Sequence, residues 1–182
     1  MRHSRKVFSK HLTRVLRLNI TDIRGGCIGG MVLLMLAIIT RLLSGSPYRI
    51  YMLLRQFKIL PPLVLLSTVN LLLTVAMGFA CGLILSYRRC GKIGEEKYRS
   101  GMLFVILITL WLSTYPVIFR SCMLGSALFL LMIACVLSAI CTLLFSRIRL
   151  LSASIALVFS CWIGYLIILL IDERPEEVTD IK

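Results

Sequence analysis

Residues 122–171 read CMLGSALFLLMIACVLSAICTLLFSRIRLLSASIALVFSCWIGYLIILLI. The stretch carries two charges, Arg147 and Arg149, and both fall between long apolar runs. Cys122 to Phe145 and Leu150 to Ile171 are each long enough to cross a bilayer core, which takes about 20 apolar residues per helix. Backbone amides at that depth find partners only within a helix, so each run is predicted to be a transmembrane helix. The short basic turn between them makes the two helices antiparallel neighbours.

Three runs of the same kind lie upstream, at about Gly26 to Leu43, Pro61 to Ser86 and Met102 to Phe119. Apolar residues make up 59% of the 182-residue chain, above the share usual in a soluble domain. No Asp, Glu or Lys falls inside any of the five spans. Arg41 stands close enough to a span end for its head to snorkel to the interface. The expected fold class is all-α: a polytopic membrane protein built as a five-transmembrane-helix bundle. Its loops are too short to fold separately. The expected organisation is a basic amphipathic cytoplasmic segment over residues 1–24, a five-span membrane domain over 25–171 and an acidic tail over 172–182.

The net charge of +13 invites a nucleic-acid reading, but the basic residues punctuate membrane spans. Fourteen Lys and Arg fall in residues 1–24, 87–101 and 146–149, against seven in the segments on the other side. The positive-inside rule then places the N-terminus in the cytoplasm and the C-terminus outside, and the expected location is the cell (cytoplasmic) membrane. No nucleic-acid partner is expected; the partner is the lipid bilayer. Ser4 to Arg24 has Phe8, Leu12, Val15 and Leu16 at helical spacing among Arg and Lys, as in a helix lying on an anionic leaflet. A cleaved secretory signal is not expected, because the charged leader is too long and no small-x-small site follows.

The seven cysteines lie mostly in or at the ends of spans, with Cys90 alone in a loop. There is no Cys-x-x-Cys pair, and the two histidines, His3 and His11, sit in the leader. A zinc site needs four convergent ligands, so no metal is expected and the cysteines read as small apolar packing residues. With no His or carboxylate inside a span, no nucleophile–base arrangement is legible and the chain is not expected to be an enzyme.

Gly25-x3-Gly29, Gly26-x3-Gly30, Gly78-x3-Gly82 and Ser160-x3-Gly164 repeat the spacing that lets helix backbones approach closely in lipid. Packing within one protomer and homodimerisation both use this chemistry. On the second span, Ser67, Asn70 and Thr74 stand on one helical face; on the third, Trp111, Thr114 and Tyr115 share another, with Pro116 loosening the next turn. Polar residues at span depth face the bundle interior or a cavity.

One series of residues has a familiar order. Pro61-Pro62 opens the second span and Met77-Gly78 follows fifteen residues later. Tyr115-Pro116-Val-Ile-Phe119 ends the third, Gly125 begins the fourth, and Cys161-Trp162-Ile-Gly-Tyr165 lies in the fifth. This order and spacing resemble the TspO/MBR family of tryptophan-rich sensory or translocator proteins over about residues 26–171. The resemblance implies a cavity between the helices, covered by the first loop. It also implies a tetrapyrrole (porphyrin), sterol or drug-like ligand and a tendency to dimerise. The lining that it implies is Arg49 and Tyr51 from the loop, with Asn70, Thr74, Trp111, Thr114, Tyr115, Pro116, Phe119, Trp162, Tyr165 and Leu166 from the spans.

The chain departs from the family pattern at several aromatic positions. Asn70 and Thr74 stand where the family has Trp and Tyr on the second helix. Trp111 and Thr114 stand for Asn and Trp on the third. Ser126, Leu170 and Ile59 replace a Trp, an Asn and the loop Trp. Some relatives are linked to light-dependent porphyrin breakdown through pocket tryptophans, and the substituted positions are those that chemistry would need. The expected function is therefore ligand binding of the sensor or translocator type, with an apolar or amphipathic small molecule held in the bundle. The alternative is a non-catalytic structural or regulatory subunit of a membrane complex, with the pocket collapsed.

Overall fold

A computed structural model describes residues 20–44, 63–86, 92–119 and 124–172 of the chain. The described residues form five helices: α1 (Ile20–Ser44), α2 (Leu63–Ser86), α3 (Lys92–Phe119), α4 (Leu124–Ile148) and α5 (Leu150–Asp172). All five are long and apolar enough to cross a membrane. Their outward faces are apolar and exposed, as at Met35, Leu42, Val105, Phe129, Leu143 and Ile168, which suits a surface solvated by lipid tails. The protein is an all-α, five-helix membrane bundle.

Two helices run further than their apolar stretches. α1 begins at Ile20 rather than near Gly26, so the boundary drawn after residue 24 falls inside a helix. α3 begins at Lys92 rather than Met102, adding charged turns with Glu95 near its positive N-terminal end. Hydropathy marks the part of a helix that meets lipid, whereas the backbone ladder continues into sequence that meets water. Residues 1–19 of the segment expected to be amphipathic, the first loop and the tail after Asp172 lie outside the described residues.

Contacts between helices order them as a closed ring, α1–α2–α5–α4–α3 and back to α1. Neighbours α1 and α2 are antiparallel. Gly25, Gly29, Gly78 and Gly82 all lie in their seam, where a Cβ on Gly82 would come within 2.9 Å of the Gly26 Cα. The glycine spacing is thus used within one protomer, between α1 and α2. Gly125 and Gly164, by contrast, have open space where a side chain would stand.

α4 and α5 reverse at a single residue. The Arg149 N–H donates to the Phe145 carbonyl at 2.7 Å, and the Arg149 carbonyl accepts from Ala153 N–H at 3.2 Å. One residue thereby closes one helix and opens the next. Its side chain does not reach into solvent. Arg149 is 5% exposed and its Nη1 lies 3.1 Å from Oδ2 of Asp22, itself buried near the start of α1. α1 is not next to α4 or α5 in the ring, so the pair ties together elements from opposite sides at this end of the bundle.

The core between these ends is filled by Met77, Ala80, Cys81, Leu107, Cys141, Phe145, Ala156, Phe159 and Ile163. Ser152 of α5 donates to the Ala80 carbonyl of α2 at 3.0 Å, a buried link between adjacent helices. Cys81 and Cys141 are buried free thiols, placed as packing residues. Among the described residues no cluster of His, Cys, Asp and Glu is arranged to hold a metal ion.

Candidate functional site

The face formed by Ser67, Asn70 and Thr74 of α2 turns into the ring, and each residue meets a different helix. Ser67 is bound by Arg41 of α1: Nη1 donates to the Ser67 hydroxyl and Nη2 to its carbonyl, both at 2.7 Å. Asn70 accepts the indole N–H of Trp162 from α5 through Oδ1. Thr74 accepts the indole N–H of Trp111 from α3 at 3.1 Å and passes its own proton to the Asn70 carbonyl at 2.7 Å. An α2 strip at i, i+3 and i+7 therefore collects one side chain from each of α1, α5 and α3.

Arg41 is the correction to the sequence expectation. Its head does not snorkel outward along α1 but turns in toward α2 and lies 5.8 Å from the centre of the Tyr115 ring. Two well-placed oxygens and an aromatic face stand within reach of its stem, and together they hold the guanidinium against the bundle. The Tyr115 side chain is approached by both Arg41 and Asn70.

Below this level the interior closes. Trp111 is 1% exposed, with its ring edge-on to Tyr115 at 6.1 Å and to Phe159 at 5.2 Å between centroids. Thr74 is equally buried. Above that floor Asn70, Tyr115 and Trp162 are each half-buried. The result is an aromatic layer overlain by a cluster of hydrogen-bonding groups, set in the half of the bundle that holds the C-terminal ends of α1, α3 and α5.

The remaining expected residues fall in different places. Thr114 is buried but spends its hydroxyl on the Trp111 carbonyl of its own helix, at 2.6 Å. Tyr165 stacks at a tilt on Trp162, 5.2 Å between centroids, and is 38% exposed on the outer side. Leu166 is a core residue. Pro116 lies half-buried inside α3, where it removes one ladder bond to the Leu112 carbonyl. Arg49, Tyr51 and the side chain of Phe119 lie outside the described residues.

Two members of the cluster were not assigned to the site from sequence. Phe159, Trp162 and Leu166 stand at i, i+3 and i+7, so the helical period carried the signal for Phe159. For Arg41 the signal was a lone charge in an apolar run whose sequence holds no carboxylate between Asp22 and Glu95.

The TspO/MBR family model matches residues 29–172, from within α1 to the end of α5. Comparison with curated proteins and with solved structures finds no match. The family match covers well over half the chain and runs through all five helices of an apolar ring, so this protein, of the membrane sensor or translocator type, belongs to the TspO/MBR family.

Proposed function

We propose that these groups form a cup above Trp111 in which the bundle holds a flat amphipathic molecule of the tetrapyrrole type, and that the protein senses, buffers or passes on that ligand. The observation that supports this reading is the meeting of Arg41, Asn70, Tyr115 and Trp162 from four helices at one level of the membrane interior. A ring of fused aromatic heterocycles would lie against Trp162 and Tyr115 while its polar edge meets the rim. Such stacking stabilises aromatic pairs by about 0.5–1.5 kcal/mol beyond the area they bury. The charge asymmetry supports a cytoplasmic-membrane location with the rim toward the outer face. The role we propose is binding rather than turnover.

The test uses the protein's own chromophores. The chain holds two tryptophans, Trp111 and Trp162, and both line the cup, so intrinsic fluorescence reports on it directly. Titration of the purified protein in lipid nanodiscs with protoporphyrin IX should give saturable, one-site quenching. Trp162→Leu should weaken binding by roughly two- to tenfold, the loss of one stacking partner. Non-saturable quenching, unchanged by Trp162→Leu, would reject the pocket. The tight burial of Trp111 between Thr74 and Phe159 favours a second reading for that outcome: a collapsed interior in a structural or regulatory subunit.

A further inference from the structure

Two arginines are drawn into the bundle, and they are compensated in opposite ways. Arg149 meets the carboxylate of Asp22. Arg41 meets the hydroxyl and carbonyl oxygens of Ser67 and the face of Tyr115, all of them neutral. Among the described residues its charge is held by neutral groups and met by no carboxylate. The acidic side chains described, Asp22, Glu95 and Glu96, sit at the other end of the helices, the first loop contains no acid, and the acids after Ile171 lie outside the described side chains.

A second donor stands beside it. An indole N–H can only donate, so the Asn70 atom that faces Trp162 is the carbonyl oxygen. The Asn70 amide nitrogen is then left to donate elsewhere, and Asn70 also stands within hydrogen-bonding reach of the Tyr115 phenol. Guanidinium, amide and phenol therefore gather at one rim. A guanidinium has five N–H donors in a fixed fork, and Ser67 takes two of them through two oxygens. An anion with two oxygens in a plane matches the rest.

We infer that Arg41 is the specificity-determining residue of the cup, selecting amphiphiles that carry a carboxylate over neutral molecules of the same shape. This rests on the binding role proposed above. Its sign is fixed by charge: a carboxylate neutralises Arg41 in a low-dielectric setting, whereas an ester leaves it uncompensated.

The experiment compares protoporphyrin IX with its dimethyl ester on the full chain in phosphatidylcholine nanodiscs. The protein as it stands should prefer the free acid by about 10- to 100-fold, the range for a hydrogen bond to a charged group. Arg41→Gln should abolish that preference, and an unchanged circular dichroism spectrum shows that the variant is folded. Arg41→Lys keeps the charge but loses the two-pronged hold, so it should retain part of the preference. Equal binding of acid and ester by the unmodified chain, or a preference that survives Arg41→Gln, overturns the assignment while leaving the pocket intact. Failure of both probes to bind overturns the assignment and the binding role together. Loss of acid binding when phosphatidylglycerol is added, seen only with Arg41 present, assigns the site to a lipid headgroup and overturns it. So does a preference that appears only after the tail beyond Ile171 is removed, since the chain's own acids would then be the counter-ion.

Discussion

Asp22→Ala should lower the stability of the bundle by about 3–5 kcal/mol, the cost of leaving a buried charge without its partner. Asp22 and Arg149 are 7% and 5% exposed, and their 3.1 Å contact links α1 to the single-residue break between α4 and α5. Arg149 cannot easily swing out, because its backbone ends one helix ladder and begins the next. Removing the carboxylate thus strands a guanidinium where water is scarce. Replacing both partners, as in Asp22→Leu with Arg149→Met, should recover most or all of the loss, since an apolar pair of similar volume avoids the desolvation cost. The nearby Glu96–Arg147 pair is the control. It is 4.0 Å long with side chains 41% and 69% exposed, and Glu96→Gln should shift stability by less than about 1 kcal/mol. Unfolding in mixed micelles, followed by circular dichroism, orders the variants. A single Asp22→Ala change as mild as Glu96→Gln would show that Arg149 finds water or lipid phosphate instead.

The position of this pair shows what the sequence could reveal. Five spans were legible because a bilayer imposes one rule on every backbone amide, and apolar length records it. The inward face of α2 was legible for a similar reason: the helical period puts Ser67, Asn70 and Thr74 on one side whatever surrounds them. Partners were not legible. Asp22 looked like part of a basic leader and Arg149 like an orientation signal, because their meeting joins positions 127 residues apart through the closure of a ring. Arg41 looked like a snorkelling residue for the same reason, since its alternative lay on another helix. Spacing gives a face; the order of helices around the ring decides what the face meets.

The two ends of the ring consequently differ in kind. At one, a cation is matched by an anion of the same chain and the interior is tied shut. At the other, a cation is fixed in place by neutral groups above an aromatic floor.

Gly29→Leu should force α1 and α2 apart and degrade both the fold and the site. A Cβ at Gly29 would overlap the Gly78 carbonyl oxygen and stand 3.2 Å from the Gly82 Cα. These are backbone atoms, so no rotamer change relieves the clash. Even a methyl at this seam should cost about 1–3 kcal/mol, and a leucine more. Gly82→Ala strikes the same seam from the other helix, overlapping the Gly25 carbonyl oxygen, so the two changes should not add. Gly164→Ala meets nothing within 4 Å and should be neutral or gain up to about 1 kcal/mol from the better helix former. The same seam sets the register of α1 on α2 that brings Arg41 to Ser67, 26 residues away in sequence. Gly29→Ala should therefore also erode the preference for protoporphyrin IX over its ester, with no change to any rim residue, while Gly164→Ala preserves it. If Gly29→Ala lowers the melting temperature yet keeps the full preference, Arg41 is positioned by its own contacts with Ser67 and Tyr115 rather than by the packing of the two helices.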